Sequence, residues 1–419
     1  MKRLLLTFWS VCGLVAVTSA QVTLEECVSM ARENYPQIQE QSLIDEAEKY
    51  DVGNVNLQWV PQLNITGKAS YQSDVVEMPF EIPGYDFNFN LPHDQYSLVG
   101  EVTQSIWDGG SSSSQKRLIK ANAEVQRKQL DVSLYALRSR VENVYLGILL
   151  IDKQLEQNRL LEESLQRNRK EVKALMESGM AYQSDFDMVE VNLLNCQQKA
   201  VELRANRMAY VTMLGKLTGK DMSDAAFIEP NSEINLDSIQ IQRPELALYD
   251  AQLQQSQAQR QSLQSNISPK FNLSLQGGIG RPGLNMLKNE FAPYYVAGIR
   301  MQWNFGALYT RQNDIRKIAT QQRNVEVARE TFVFNTTLDI IEQVNNIKKA
   351  QQILEQDKEI VRLRSSIRTT GEEQYANGVI KMTELMDMMD DEHDARLAEA
   401  VHEIQLWMAV CQLKDSMGK

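Results

Sequence analysis

The feature that most constrains this chain is an internal duplication. Pro36 and Pro61 stand 25 residues apart, and Pro244 and Pro269 repeat that spacing 208 residues later. Asn34-Tyr35-Pro36 in the first copy corresponds to Gln242-Arg243-Pro244 in the second. Gly109, in Ser-Ile-Trp-Asp-Gly, is matched by Gly306, in Gln-Trp-Asn-Phe-Gly. Gly179-Met-Ala-Tyr-Gln-Ser-Asp-Phe is matched by Gly378-Val-Ile-Lys-Met-Thr-Glu-Leu, 199 residues on. One match would mean little; four in the same order mean a repeated unit of about 200 residues, and a period of that kind decides the fold before any local reading does.

Each copy reads as short helix, strand, loop, strand, very long helix and returning helix. In the first, Leu24 to about Gln58 is expected to be helical. The strand that follows alternates: Leu63, Ile65, Gly67, Ala69 and Tyr71 fall on one face, and Asn64, Thr66, Lys68 and Ser70 on the other. Phe271, Leu273, Leu275, Gly277 and Ile279 repeat the apolar face in the second copy. Returning strands are expected from Tyr96 to Ile106 and from Tyr295 to Phe305, the latter with Trp303 and Phe305 on its apolar side. Four strands of this length suit tilted membrane strands. They also suit a soluble sandwich, so the number matters more than the pattern. Four strands cannot close a barrel wide enough for a conduit, and an open sheet in hydrocarbon would leave backbone groups unsatisfied at its edges. A membrane location would therefore require several chains to pool their strands.

Asp108-Gly109-Gly110 marks the change from strand to helix, with Ser111 to Ser114 as candidate caps. From there to about Ser178 no proline interrupts a helical pattern in which Leu134, Leu137, Val141, Val144, Ile148 and Ile151 recur every three or four residues. Such a helix is about 100 Å long. The second copy repeats it from about Tyr309 to Ala376, and shorter helices return over about 184–217 and 383–417. These lengths exceed those of ordinary globular helices and favour coiled-coil-like packing. The expected division is 21–217 for the first repeat, with a hairpin at 61–106 and a helical turn near 179, and 239–419 for the second, with a hairpin at 269–306 and a turn near 378. The segment 218–238, with Gly219 and Pro230, separates them and reads as a loop with a short element at most.

Residues 1–20 stand apart. Lys2 and Arg3, the apolar run Leu4 to Val17 and Thr18-Ser19-Ala20 read as a secretion signal cleaved before Gln21. Beyond it no run of eighteen apolar residues exists, so ordinary helical membrane spans are excluded. Cys27, Cys196 and Cys411 are odd in number and widely spaced within helical patterns, which points to buried small side chains rather than disulfides or a metal site. The formal charge of −11 becomes −13 without Lys2 and Arg3, and an acidic chain lacking a basic cluster is a poor partner for nucleic acid. The three histidines, His93, His393 and His402, form no catalytic spacing, and no phosphate-binding glycine loop or serine elbow occurs. Neither enzymatic activity nor a cofactor is expected, and any energy for transport must come from a partner.

Through the duplicated unit, Trp107-Asp108-Gly109-Gly110 opening a long helix, and both turn motifs, the chain resembles the TolC-like outer membrane efflux protein family over nearly all of its length after residue 20. The resemblance implies a mixed α/β membrane protein. Four strands per chain would contribute to a shared trimeric twelve-stranded β-barrel, continued by a long α-helical coiled-coil tunnel in the periplasm. It implies a homotrimer in the outer membrane of a Gram-negative bacterium, in contact with outer membrane lipid, that docks a periplasmic adaptor protein and an inner membrane transporter. The family reading is a passive conduit for small molecules in a tripartite efflux system. The channel of a type I protein or peptide secretion system is the closest alternative, and a periplasmic coiled-coil scaffold without a pore is the alternative of another class.

On that resemblance, the turn residues Gly179, Ser184, Asp185, Gly378 and Thr383 are candidates for the helical tips and adaptor docking. Asp108, Gly109 and Gly306 are the candidate strand-to-helix junctions. Glu384 and Asp387 match positions where relatives carry acidic rings at the periplasmic entrance; three copies around an axis would focus negative potential and select against anions. A solvated acidic helix face is the plainer reading. Asp390, Asp391, Glu392 and Asp394 add charge nearby. Ile380 stands where some relatives carry arginine, so a closing salt bridge of that kind is not expected. Met382, Met386, Met388 and Met389 read first as packing, with a soft docking surface or thioether ligands for exported copper or silver as the alternatives. The loop from Ser73 to Asp94 is long and aromatic, with Phe80, Tyr85, Phe87 and Phe89, whereas its counterpart from Arg281 to Pro293 is shorter.

Overall fold

A computed structural model describes residues 21–75, 92–231 and 240–419. The segment 1–20 and most of the long aromatic loop, including Phe80, Tyr85, Phe87 and Phe89, lie outside the described residues. The elements run β1 (Gln21–Val22), α1 (Leu24–Asn34), α2 (Glu40–Leu57), β2 (Gln62–Tyr71), β3 (Asp94–Trp107), α3 (Ser111–Glu177), α4 (Gln183–Thr218), β4 (Ala226–Phe227), α5 (Pro244–Asn266), β5 (Lys270–Arg281), β6 (Ala292–Gln302), α6 (Gly306–Ala376) and α7 (Met382–Met417).

The proline landmarks act as punctuation. Pro61 and Pro269 each immediately precede a strand, and Pro244 is the first residue of α5. Pro36 does more than expected: the single helix anticipated from Leu24 to Gln58 is two. Tyr35 is extended at φ −65°, ψ 127°, and a 3-10 turn, Pro36–Gln39, precedes α2. The residue before a proline is pushed out of the helical region, which ends α1 there. The α1 start is a reciprocal cap in which Thr23 N–H donates to Glu26 and Glu26 N–H donates to Thr23 Oγ1. The last expected strand also differs. It runs from Ala292 to Gln302, so Trp303 and Phe305 lie past its end.

The chain divides into two compact units. One comprises the described residues of Gln39–Val132 and Pro244–Phe332; the other comprises those of Met1–Ile38, Ser133–Arg243 and Val333–Lys419. The first holds an antiparallel sheet in the order β2-β3-β5-β6. Leu63 pairs with Val102, Val102 with Leu275 and Leu275 with Ala297, so apolar residues from all four strands share one face. In the same unit, Arg127 of α3 joins Asp45 and Glu48 of α2. Gln255 of α5 donates to Asn122 of α3 at 2.9 Å.

The second unit is mainly helical, and one set of its apolar side chains forms a buried core. Of the stripe read on α3, Leu134, Leu137, Val141, Ile148 and Ile151 are buried. Val141, Tyr145 and Ile148 pack with Leu214 of α4 and with Trp407 and Cys411 of α7. Gly147 allows close approach, since a Cβ there would lie 2.4 Å from the Tyr210 ring. The short element between the repeats is β4, which pairs in parallel with β1. Tyr145 holds this pair in place. Its hydroxyl, with one hydrogen to give, lies 2.8 Å from the Val22 carbonyl oxygen and 2.7 Å from that of Ile228, and it accepts from Ile228 N–H.

The duplication is visible in matching contacts. α4 ends on Gly219 at φ +73°, and Asn34, just before Pro36, donates to the carbonyls of Lys216 and Leu217. α7 ends on Gly418 at φ +82°, and Gln242, just before Pro244, donates its N–H to the Met417 carbonyl at 2.7 Å. Left-handed glycine at a helix end satisfies carbonyls the helix leaves open.

Candidate channel elements: an uncovered sheet and an acidic helical tip

Among the described residues the sheet has one apolar face with no protein over it. Leu63 and Ile65 of β2, Leu98 of β3, Leu275 and Ile279 of β5, and Ile299 of β6 are all exposed, Ile299 by 70%. The opposite face carries Asn64, Thr66, Lys68, Ser274 and Gln276, with Glu101 and Arg300 paired at 3.4 Å. At the helix-proximal ends of the strands sit Trp59, Trp107, Trp303 and Phe305, and at the other ends Tyr71, Tyr96, Phe291 and Tyr295, all exposed. An apolar band flanked by aromatic residues matches the lipid-facing surface of a membrane barrel. β2 and β6 are its edges, and neither has an outer strand among the described residues.

At the junction from β3 to α3, Asp108 is the cap; the serines expected to serve are not. Its carboxylate accepts from Gly110 N–H (2.9 Å) and Ser112 N–H (2.6 Å), while Ser112 and Ser114 are buried. Gly109 has φ +66°, and a Cβ on it would meet Ser268 Cβ at 2.5 Å, so side chains are excluded both by conformation and by space. In the second copy Asn304 takes the acceptor role, receiving Gly306 N–H at 3.0 Å. Gly306 starts α6 without a positive φ. The glycines that align in sequence therefore do different work, and the acceptor two or fewer residues upstream is what the copies share.

The two helical turns have the same backbone. Gly179 (φ +80°) and Gly378 (φ +70°) follow α3 and α6. In the first, Met180 N–H donates to Leu175 and Gly179 N–H to Met176; in the second, Val379 N–H donates to Gln374 and Gly378 N–H to Tyr375. This double bond pattern is the Schellman closure, which needs a left-handed residue. The side chains then diverge. Asp185 accepts from Tyr182 N–H at 3.0 Å, tying down the start of α4 beside exposed Ser184. Thr383 and Glu384, at the matching positions of α7, are both exposed.

Beneath the turns one apolar cluster joins the two hairpins: Leu165 and Val172 of α3, Val189, Leu193 and Cys196 of α4, and Met382, Leu385, Met386 and Met389 of α7. Three of the four tip methionines, Met382, Met386 and Met389, are thus buried core side chains. Asn168 donates to Met389 Sδ at 3.0 Å. Ile380 packs partly against the same cluster.

The acidic residues of α7 separate by helical position. Glu384, Asp387, Asp391 and Asp394 recur every three or four residues and are exposed opposite the buried methionine face, with Asp390 beside them. Asp391 is neutralised by Arg364. Asp390 is pushed above the ordinary carboxylate range, first by desolvation and then by the charges of Asp394, Asp387 and Asp391. Glu392 leaves this face altogether: it is buried between Arg368 and Arg396, which hold its carboxyl below the usual range against the burial that would raise it. Cys27, Cys196 and Cys411 are buried and free of disulfides, and burial pushes their thiols up, to about 12 for Cys27 and Cys411 and about 11 for Cys196. They are packing residues, not nucleophiles.

The sequence pattern of the outer membrane efflux protein family matches residues 27–220 and 235–419, one segment per repeat. The chain belongs to the outer membrane efflux protein family. That places it in the outer membrane as an export channel protein and bears out the TolC-like resemblance; it also sets aside the pore-less scaffold. No curated protein matches by sequence. Solved structures share the fold at low identity. A membrane protein from Pseudomonas aeruginosa is 14% identical with a TM-score of 0.68, covering 94% of this chain and 93% of its own. The CmeC outer membrane channel of Campylobacter jejuni is 13% identical with a TM-score of 0.65, covering 94% and 85%. The open state of the Neisseria gonorrhoeae MtrE outer membrane channel is 14% identical with a TM-score of 0.66, covering 94% and 88%. The family is one of transport proteins, not enzymes, and no group of three metal-ligating side chains occurs among the described residues.

Proposed function

We propose that three copies of this chain form one conduit, each supplying four strands to a twelve-stranded barrel and its long helices to a periplasmic tunnel. The observation that carries this reading is the sheet with an uncovered apolar face and two open edges. In hydrocarbon an unpaired edge costs several kcal/mol per backbone group, on the order expected for lost hydrogen bonds in an apolar medium. Pairing β6 of one copy with β2 of the next removes every edge; the family resemblance supplies the number three. The helices support an oligomer independently. Leu194, Val201 and Met208 of α4 recur every seven residues and are exposed, as are Phe334 and Ile341 of α6. Apolar heptads left open in one chain suit coiled-coil packing against another copy.

The conduit is passive, serves small molecules, and is driven by an inner membrane transporter through a periplasmic adaptor that docks at the turns around Gly179, Ser184, Asp185, Gly378 and Thr383. Glu384 and Asp387 line its periplasmic entrance. The exposed acidic face of α7 supports that role, since three such faces around an axis would favour cations. The repeat boundaries at 21–217 and 239–419 are the natural units of this assembly. The test is direct. Detergent-extracted protein should migrate as a trimer and raise conductance across planar bilayers; a monomeric, water-soluble product would overturn the reading.

A further inference from the structure

The end of α7 meets α3, α1 and the segment before α5 around a set of charges that conduction does not use. Arg138 Nε donates to Glu142 Oε1 at 2.8 Å, and Asp415 Oδ1 lies 2.9 Å from the same nitrogen. Glu25 Oε1 is 3.1 Å from Arg138 Nη2. Nε carries a single hydrogen, directed at Glu142, so Asp415 Oδ1 gains attraction without a hydrogen bond and is a buried oxygen with no donor. Glu142 itself is only 4% exposed. The Glu142 and Asp415 carboxyl groups thus crowd on one nitrogen, at 2.8 and 2.9 Å, that has a single hydrogen to give. Two buried carboxylates held this close repel each other, and one bound proton relieves that repulsion.

The surroundings hold the pair in place. Tyr135 Oη donates to the Asp415 carbonyl at 2.8 Å, and Arg243 Nη1 donates to the same oxygen at 3.2 Å. The groups facing the pair are Glu25 from α1, Tyr135 and Arg138 from α3, Arg243 before α5, and Cys411 and Lys414 from α7. Asp339 of α6 shares with Asp415 a cavity of about 340 Å³. Carboxyl groups outnumber the cations around them, and the excess is concentrated at the two that share Arg138.

We propose that Glu142 and Asp415 form a proton-held latch that fastens the C-terminal end of α7 to α3 and α1, and that releases this joint as pH rises. Burial, followed by the neighbouring charge, raises Glu142; burial also raises Asp415 despite Arg138. The latched state therefore holds a proton that a separated, hydrated pair would lose in the ordinary carboxylate range. Its stabilisation is complete below that range and fades as pH climbs through the raised value of the pair. α7 is one continuous helix from Met382 to Met417, so this joint anchors the helix that bears Glu384 and Asp387.

The matching joint of the first repeat, where Asn34 meets the end of α4, is built of neutral groups and serves as an internal control. Amide hydrogen exchange on the full chain in detergent, corrected for intrinsic rates, should be compared between about pH 5.5 and about pH 8, because a one-proton linkage changes an opening equilibrium by up to roughly tenfold per pH unit. Residues 406–417 should lose at least about tenfold protection over that range while 211–218 do not. Glu142→Gln, and separately Asp415→Asn, should flatten the pH response of 406–417. Wild-type protection that is the same at both pH values overturns the latch, and so does an undiminished pH response in either variant. The result reads the joint itself and is independent of trimer formation or conductance.

Discussion

The sheet and the helical tips handle apolar side chains in opposite ways. Ile299 is 70% exposed on a strand, whereas Leu385 is 1% exposed at a helical tip. Both belong to regular amphipathic elements, and both elements have a polar side. The tip cluster finishes its packing within one chain, because two helical hairpins bring their apolar stripes together. Among the described residues the sheet has no second layer, and its apolar face stays open. Burial within the chain thus separates a part that completes its own packing from a part that leaves its apolar face uncovered.

Placing a charge in each region tests that division most sharply. Leu385→Asp puts an unpaired carboxylate into the tip cluster, for which destabilisation beyond about 4 kcal/mol is expected. Limited proteolysis near residues 179 and 378 should become rapid; resistance equal to wild type would show that the cluster is not the tip's core. Ile299→Arg, on the uncovered face, should cost about 2–4 kcal/mol per chain in a bilayer and reduce insertion, with little effect on helical content by circular dichroism. Thr66→Arg, on the opposite face of the same sheet, should insert normally and change conductance only. Equal tolerance of Ile299→Arg and Thr66→Arg in a membrane-insertion assay would mean that neither face meets lipid.

The turns sharpen the comparison at smaller magnitude. Gly179→Ala and Gly378→Ala each force a side chain into a left-handed conformation, with an expected loss of about 1 kcal/mol in denaturant unfolding of the helical part. No neighbour lies within 4 Å of an added Cβ at either glycine, so the two should match. A much larger loss at one turn would show that it carries a contact the other lacks. The smallest change in stability, within about 0.5 kcal/mol, is expected for Glu384→Ala with Asp387→Ala, since both side chains are exposed. Their effect should appear instead as higher conductance and weaker cation preference in planar bilayers; unchanged selectivity would leave them as a solvated face.

Much of this architecture was legible because it rests on local rules. Alternation in β2 and β5, the uninterrupted stripe of α3 and the left-handed glycines at 179 and 378 are set by residues within a few positions of each other. Pro36 is legible too, and by pushing Tyr35 out of the helical region it splits the expected helix in two. Other features needed distance. Asp108 displaced four candidate serines as the cap because its carboxylate reaches two N–H groups while Ser112 and Ser114 turn into the packing. The pairing of β1 with β4 links residues 21–22 with 226–227, and two-residue strands leave no periodic signal.

By itself, the sequence determined a duplicated chain with four strands that cannot close and two helices far too long for an ordinary domain, because side-chain period and proline placement are local properties. Only the tertiary structure decided which acidic residues of α7 remain free. Glu392 is drawn inward by Arg368 and Arg396 and Asp391 is met by Arg364, whereas Glu384 and Asp387 stay on the open face. Charges meet through space, and two of the partners that settled their fate, Arg364 and Arg368, come from a different helix, α6.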